Sequence, residues 1–247
     1  MDSNSLKKAN IDNLTGLWKK MGTQPIPSLV IQELNASKSW PHRYWFDWGT
    51  DTNKISELDE ALVQLPTQAM FPVWDESAEI ELRLKQLIFQ NGFRVILEQT
   101  AMYLCLTKQK LVALPLMDIK QLHSTQDIET WTDIASESFG YQIDVASILK
   151  VADDPDVPIL QVYHEGHPAA TAMLHKTGEI VGVHLVGVPK RFGGKGIAYL
   201  LMQHIIESCH AWGGKYVTLQ SSAAAESIYK RLGFKEQFTI HSYQRMA

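Results

Sequence analysis

The feature that most constrains the fold is a glycine-rich segment, residues 190–196, that stands between a predicted strand and a predicted helix. An apolar run at residues 179–188 precedes it, and apolar residues at helical spacing follow it over residues 197–211. Glycine permits backbone conformations that side chains block, so such a loop can direct several amides into one concavity at the helix N-terminus. Unpaired amides and the helix dipole favour an anion there. Positive charge comes from Lys190, Arg191 and Lys195.

This segment predicts a phosphate-binding loop, with a plain glycine-rich turn and solvated lysines as the alternative. It is not a Walker loop, because it lacks the Gly-Lys-Ser/Thr step. It also fails the dinucleotide pattern, since Gly194 and Gly196 match the first two glycines but Leu200 stands at the third. No acidic residue stands at the ribose position on a next parallel strand. The loop therefore indicates a phosphate ligand of another class.

A second motif follows 33 residues later, counted from Gly196 to Tyr229, with one predicted helix and one predicted strand between the two motifs. Together, and in this order, the motifs resemble the acetyl-CoA pyrophosphate loop and the later signature of the GCN5-related N-acetyltransferases, the GNAT superfamily. Serine replaces the usual asparagine at Ser222, and Arg191 replaces the commoner glutamine. The resemblance covers about residues 117–247. The residues of the second motif are Ser222, Ala225, Ile228, Tyr229, Gly233 and Phe234.

The resemblance implies an α/β fold with a GNAT-type mixed, mostly antiparallel sheet flanked by helices. It implies an N-acetyltransferase that moves an acetyl group from acetyl-CoA, its co-substrate, to a primary amine by direct transfer through a ternary complex. A non-catalytic acyl-CoA-binding or sensing protein is the alternative. The acceptor stays open, because a small amine, an amino acid and a protein amine all fit these motifs.

The resemblance also implies which residues contact the co-substrate. Main-chain groups of Val186, Gly187 and Val188 would follow the pantetheine arm where this strand splays from its neighbour. The Val188 amide would polarise the thioester carbonyl. The other expected contacts to acetyl-CoA are Arg191, Phe192, Gly193, Gly194, Lys195, Gly196, Ile197, Ala198, Ser222, Ala225 and Tyr229.

Tyr229 is the candidate general acid. A phenol with a pKa of about 10 stays protonated at neutral pH and can hand a proton to the departing thiolate. A tyrosine at an amphipathic helix position can instead pack on the sheet as part of the core. The motif residues around Tyr229 favour the catalytic role.

His184 is the candidate general base. The resemblance implies that a base on this strand lies an odd number of residues before Arg191, as His184 does and Glu179 does not, because strand side chains alternate between faces. Imidazole also removes protons near neutral pH. An ordered water is the alternative base, and His175 on the preceding strand is a weaker candidate. Cys209, in the middle of a predicted helix, fits a small core residue better than a nucleophile.

Composition excludes several other classes. The formal net charge of −4 disfavours a nucleic-acid partner, although a local basic patch is compatible with it. No run approaches the ~20 apolar residues of a membrane span, so we expect no membrane partner. The two cysteines cannot form a disulfide framework and lack metal-ligand spacing, so we expect no metal. The expected setting is soluble, reducing and cytoplasmic.

We expect two domains: an N-terminal accessory α/β domain at residues 1–116 and the catalytic, acetyl-CoA-binding domain at residues 117–247. In the catalytic domain an antiparallel meander is predicted for strands at residues 159–164, 169–175 and 179–188. In the accessory domain the main predicted elements are helices at residues 6–21, 55–65 and 78–90 and strands at residues 28–34 and 43–48.

The accessory domain contains an echo of the second motif. Residues 87–93 match residues 228–234 as a helix followed by Gly-Phe and a strand, which suggests a degenerate GNAT-like unit. Ile88 stands at the position of Tyr229 and cannot donate a proton. No counterpart of the phosphate loop precedes residue 117, so this half should not bind CoA in the manner of the family.

An aromatic cluster at residues 40–48 is the other notable feature of the accessory domain. Strand alternation predicts Tyr44, Phe46 and Trp48 on one face and Trp45 on the other. A core sheet explains the cluster, and an aromatic wall of the acceptor pocket is the functional alternative.

Overall fold

The computed structural model describes residues 1–25, 34–37, 39–49, 59, 62–63, 65–74, 78–109 and 113–246. The predicted strand at residues 28–34 and the predicted helix at residues 55–65 lie largely outside these ranges. The chain divides into two compact units. One comprises Met1–Ala101, Ser221–Glu226 and Glu236–Ala247, and the other comprises Met102–Gln220 and Ser227–Lys235. The predicted division into domains at residue 116 stays a prediction.

The helices and strands of the described residues are named in chain order. Up to residue 105 they are α1 (Ser3–Lys20), β1 (Gln24–Pro25), β2 (Leu34–Ala36), β3 (Tyr44–Phe46), β4 (Met70–Val73), α2 (Ala78–Gln90) and β5 (Phe93–Cys105). From residue 118 they are β6 (Asp118–Gln121), α3 (Thr125–Phe139), α4 (Val145–Leu149), β7 (Ile159–His164), β8 (His167–Thr177), β9 (Ile180–Gly187), α5 (Ile197–Ala211), β10 (Tyr216–Ser221), α6 (Glu226–Arg231) and β11 (Lys235–Arg245).

The first unit contains a small antiparallel sheet in the order β1-β2-β3 and a second run of strands in the order β4-β11-β5. Helix α1 begins at Ser3, three residues before the predicted start at residue 6, because the Asp2 carboxylate accepts the Ser5 amide at 2.9 Å, which satisfies an unpaired donor of the first turn. Strands β4 and β11 are antiparallel, with Val73 opposite His241.

The second unit contains the sheet that carries the candidate site, in the order β10-β9-β8-β7-β6. Strands β6 to β9 pair antiparallel with their neighbours, and β10 runs parallel to β9. The predicted meander is therefore confirmed, and the sheet is mixed and mostly antiparallel, as the fold class requires. Helix α3 starts at a local capping signal, because the Ser124 hydroxyl accepts the Asp127 amide at 3.1 Å.

Helix α3 is fixed to this sheet by a buried tryptophan. The Trp131 ring is fully buried, and its Nε1 donates to the Leu160 carbonyl of β7 at 2.9 Å. A buried indole needs such a partner because an unsatisfied N–H is costly to remove from water. This contact helps set the position of the C-terminal end of α3, which borders the candidate site.

The aromatic cluster of the first unit departs from the predicted alternation. Tyr44 and Phe46 pack with Phe71, as expected for one face of β3. Trp48 instead packs against a second hydrophobic cluster, which contains Trp45. Strand β3 ends at Phe46, so the alternation of side chains between the two faces does not extend to Trp48. Trp45 has 0% of its surface exposed, so it is a core residue and does not line a pocket.

The echo between the two halves of the sequence has a structural counterpart at both places in the chain. Helix α2 is followed by Gly92 at φ +80° and then by β5, and α6 is followed by Gly233 at φ +90° and then by β11. The positive φ at both positions explains why glycine ends each helix. A degenerate GNAT-like repeat stays a prediction.

Strand pairing leads to a test of the predicted domain boundary. A fragment of residues 117–247 keeps β11 but loses β4, to which residues 241–244 are paired. An unpaired strand edge favours aggregation. We therefore expect the fragment to melt without a cooperative transition, or to be insoluble, when its circular dichroism is followed on heating. A cooperative melt like that of the whole chain would contradict this expectation.

Candidate functional site

The glycine-rich loop has the backbone conformation that the sequence predicted. A single 3-10 turn, Lys190–Phe192, leads into it, and both Gly194 and Gly196 have φ of +74°. Residues with side chains rarely adopt this region, so both positions favour glycine. Gly196 is the N-cap of α5, and the first helical bond runs from the Leu200 amide to the Gly196 carbonyl at 3.0 Å.

The first turn of α5 therefore presents amides toward the loop. The amides of residues 197–199 precede the first helical hydrogen bond, and in the described part of the chain no side chain caps this helix. Amides of this kind, at the positive end of the helix dipole, form an anion site. Ile197 is buried, and Lys190 and Lys195 are exposed at the loop.

Two of the three cations in the loop, Arg191 and Lys195, have side-chain neighbours outside it. The Arg191 guanidinium forms an ion pair with the carboxylate of Glu137, near the end of α3. The Lys195 Nζ lies 3.4 Å from Nε2 of His164. The centroid of the Phe192 ring lies 5.1 Å from Cζ of Arg191 and 5.8 Å from Nζ of Lys195, so the ring forms cation–π contacts with both. The expected role of Arg191 as a phosphate ligand therefore requires that it share its charge with Glu137. No sequence motif indicated a role for Glu137.

A β-bulge interrupts β9 just before the loop. Thr171 of β8 stands opposite Gly187, and Met173 stands opposite His184, so Leu185 and Val186 together face a single residue of β8. Leu185 has φ of +51°, a left-handed conformation that costs a residue with a side chain about 1–2 kcal/mol. The Thr171 hydroxyl donates to the Leu185 carbonyl at 2.9 Å.

Strand β9 pairs with β10 over a short stretch. The matched residues run from Ile180 with Tyr216 to Gly182 with Thr218, and β9 continues to Gly187 without further partners on β10 among the described residues. This register agrees with the splay that the resemblance implies. Val186 and Val188, expected to contact pantetheine, lie half-buried at this end of the strand, and Gly187 is buried between them.

The bulge changes the face on which His184 lies. Strict alternation would place residues 184 and 187 on opposite faces, but their partners Met173 and Thr171 are two residues apart and share a face. His184 therefore lies on the face of Gly187, against which Ser138 of α3 packs.

His184 is 8% exposed, and burial, with a smaller effect of the charge of His175, lowers its pKa to about 3. Its imidazole is therefore neutral at pH 7, and it binds a proton too weakly to take one from an alkylammonium group. The burial of His184 thus favours the alternative base, an ordered water.

Tyr229 lies in α6 and has 7% of its surface exposed. Its ring meets Phe234 edge-on at 5.7 Å, and burial raises the pKa of the phenol to about 12. The hydroxyl has no hydrogen-bond partner among the described residues, so it can donate to a ligand. Burial keeps it protonated at every pH at which a protein of this kind works.

Two predicted contact residues, Ser222 and Ala225, belong to the first unit and lie in the turn before α6. The Ala225 amide donates to the Ser222 carbonyl at 3.0 Å. Their contact with a co-substrate stays a prediction. Cys209 is buried, and burial raises the pKa of its thiol to about 12, so it remains a protonated core residue. In the described ranges, no cluster of His, Cys, Asp and Glu could hold a metal ion.

The fold and this site define an acetyltransferase class, and comparison with known proteins agrees. A family model described as an acetyltransferase (GNAT) domain matches residues 119–243. The chain therefore belongs to the GNAT acetyltransferase family. A search of curated proteins found no match. None of the helices in the described ranges is long and apolar enough to cross a membrane.

Solved structures show the same fold at low sequence identity. A GCN5-related N-acetyltransferase from Kribbella flavida has a TM-score of 0.66 at 15% identity, covering 99% of this chain and 96% of that chain. One from Sphaerobacter thermophilus has a TM-score of 0.61 at 16% identity, covering 86% and 75%. A GNAT-family acetyltransferase from Colwellia psychrerythraea has a TM-score of 0.56 at 16% identity, covering 98% and 95%.

The buried histidine predicts a pH dependence of stability. In the folded protein the pKa of His184 is lowered from 6.5 to about 3. Between pH 3 and pH 6.5, His184 is therefore protonated more readily in the unfolded chain than in the folded one. Its contribution to stability is complete above about pH 6.5. It should fall by at most about 1.4 kcal/mol per pH unit as the solution is acidified toward pH 3.

Urea unfolding of the wild type and of His184→Gln at pH 4, 5, 6 and 7 measures this slope. We expect the variant to lose less stability per pH unit than the wild type. Parallel pH profiles for the two proteins would contradict the burial of a neutral imidazole.

Proposed function

We propose that this chain transfers an acetyl group from acetyl-CoA to a primary amine by direct attack in a ternary complex. The observation that carries the proposal is the junction of β9 and α5. There a bulged strand end with unmatched backbone leads directly into a loop whose glycines and uncapped amides suit a pyrophosphate. Cys209 is buried and protonated, so it is unsuited to carry the acetyl group.

The nucleotide end of acetyl-CoA would bind at the loop. The pyrophosphate would accept hydrogen bonds from amides of residues 194–199, at the N-terminus of α5. Lys190 and Lys195 would add screened attraction from the exposed side. Arg191 would contribute while it remains paired with Glu137, which lowers its net charge and fixes its position.

The thioester end would lie along the end of β9. Main-chain groups of Val186, Gly187 and Val188 would hold the pantetheine arm, and the Val188 amide would donate to the thioester carbonyl oxygen. This donor stabilises the negative charge that develops on the oxygen when the amine attacks. Backbone donors are already oriented, so little reorganisation opposes the reaction.

The reaction then forms one C–N bond and breaks one C–S bond. The neutral amine attacks the carbonyl carbon, the tetrahedral intermediate collapses, and the sulfur leaves as a thiolate. The Tyr229 hydroxyl would donate a hydrogen bond to this sulfur. Because burial raises the pKa of Tyr229 to about 12, above the usual thiol value of about 8.5, the phenol stabilises the thiolate more readily than it fully protonates it.

The proton of the attacking amine would leave through water. His184 binds protons too weakly for this role, because its pKa lies at about 3. The amine would therefore reach the carbonyl in its neutral form. This predicts a rate that rises with pH toward the pKa of the acceptor amine.

A charge placed in the loop should abolish co-substrate binding. Gly196→Glu adds bulk, negative charge and backbone strain where the pyrophosphate would lie. Gly178→Glu is the matched control, because Gly178 also has positive φ with open space around it and lies at the other end of β9. We expect calorimetry to show loss of CoA binding in Gly196→Glu and near wild-type binding in Gly178→Glu. CoA affinity unchanged in a folded Gly196→Glu protein would refute the loop assignment.

Removing the Tyr229 hydroxyl should slow catalysis without weakening CoA binding. We expect Tyr229→Phe to lower kcat roughly 10- to 1,000-fold, since the sulfur loses its donor while the ring still packs on Phe234. Tyr243→Phe, at another buried tyrosine, is the control and should keep wild-type kcat. Wild-type turnover in Tyr229→Phe would assign Tyr229 to the core.

The enzyme is distinguished from an acyl-CoA sensor by its products. The purified protein is incubated with acetyl-CoA and a panel of small amines, amino acids and lysine peptides, and products are read by mass spectrometry with thiol release as a second signal. A mass gain of one acetyl group on an amine supports the proposal and identifies the acceptor class. Tight acetyl-CoA binding with no product from any amine would favour the non-catalytic alternative.

A further inference from the structure

The bulge of β9 is held by a side chain from the neighbouring strand. Leu185 adopts φ of +51°, and its carbonyl accepts a hydrogen bond from the Thr171 hydroxyl at 2.9 Å. Thr171 is fully buried, whereas Leu185 is half-buried, so the bond between them is partly shielded from water. The hydroxyl therefore satisfies a backbone acceptor that the strand ladder, interrupted by the bulge, does not pair in the regular way.

This bond fixes the direction of the next amide. The carbonyl of Leu185 and the amide of Val186 belong to one planar trans peptide, in which C=O and N–H point in opposite directions. Because the carbonyl points to Thr171 on β8, the Val186 N–H points away from Thr171. Val186 is one of the residues expected to offer main-chain contacts to pantetheine.

The absence of a side chain at Gly187 leaves room for the Thr171 side chain. A Cβ at Gly187 would lie 2.8 Å from Cβ of Ser138 and 3.0 Å from the Thr171 hydroxyl oxygen, so a side chain there would displace both. The Ser138 hydroxyl already donates to the Ile134 carbonyl at 2.7 Å. The Ser138 hydroxyl proton therefore does not compete with that of Thr171 for the Leu185 carbonyl.

A second side chain in the same cross-strand row acts in the same way. Gln161 of β7 stands opposite Thr171, and its Nε2 donates to the carbonyls of Ala170, at 2.7 Å, and Val162, at 3.1 Å. Val162 and Ala170 form the last matched pair before the register shift between β7 and β8. Side chains that bond irregular backbone thus occur at two neighbouring bulges of this sheet.

From this geometry we infer that Thr171 is a positioning residue, whose hydroxyl holds the β9 bulge so that the Val186 amide is oriented toward the pantetheine arm of the co-substrate. The inference rests on the proposed function. It adds a residue that neither motif contains. Thr171 would act on the pantetheine end of the ligand and leave the nucleotide end at the glycine-rich loop unaffected.

The test compares two ligands by calorimetry. CoA uses both ends of the site, whereas 3′-phosphoadenosine 5′-phosphate has the nucleotide end and lacks pantetheine. Thr171→Val keeps the volume and removes the donor, and Thr171→Ser restores a hydroxyl. Thr132→Val is the matched control, because the buried Thr132 hydroxyl also donates to a backbone carbonyl, that of Ile128, at 2.7 Å.

We expect Thr171→Val to weaken CoA binding about 10-fold, the scale of one lost hydrogen bond, with nucleotide affinity within about twofold of wild type. Thr171→Ser should bind both ligands nearly as the wild type does, and Thr132→Val should change neither affinity. If Thr171→Val does not fold, Thr171→Cys replaces it, since a thiol of similar size is a weak donor.

Unchanged CoA affinity in Thr171→Val, or an equal loss for both ligands, would overturn the role of Thr171 and leave the proposed function intact. Failure of the wild-type protein to bind CoA would overturn the proposed function, and the role of Thr171 with it. The two failures are thus distinguished by the wild-type measurement.

Discussion

The hydrogen bond from the Thr171 hydroxyl to the Leu185 carbonyl lies at the bulge where β9 departs from regular pairing with β8, next to the candidate site. Without an irregularity, β9 would continue in register along β8. The bulge instead places Leu185 in a left-handed conformation and turns the following peptide. The local cost of about 1–2 kcal/mol must be offset by the surrounding structure, which includes the Thr171 hydrogen bond. Strand β9 then enters the loop with backbone groups unmatched on β10.

The glycine-rich loop depends on a second backbone constraint. Positive φ at Gly194 and Gly196 turns the chain from β9 into α5 and leaves the first amides of the helix without internal acceptors. Burial sets the protonation states of two side chains, because it keeps the Tyr229 phenol protonated and the His184 imidazole neutral. In the proposed mechanism the site would therefore rely on backbone donors and one phenol, and much less on charged side chains. The charge of Arg191 is largely matched by Glu137.

Local signals explain what the sequence could predict. The loop, the meander, the start of α3 at Ser124 and the glycine after α6 each follow from residues close together in the chain. The bulge at Leu185 has no such signal, because a leucine with positive φ depends on partners in β8 and α3. The bulge lies between His184 and Arg191, so the alternation of side chains counted back from Arg191 does not predict the face on which His184 lies. The pairing of Glu137 with Arg191 and the switch of Trp48 to the Trp45 cluster depend on tertiary packing in the same way.

The central claim is that acetyl-CoA binds along the end of β9 and the start of α5. Amide hydrogen exchange of the whole chain, followed by mass spectrometry with and without CoA, tests it most directly. We expect slower exchange in peptides that cover residues 186–200, where amides would donate to the ligand, and little change in peptides from β6 and β7. Slower exchange confined to other parts of the chain, or no change at saturating CoA, would contradict the account.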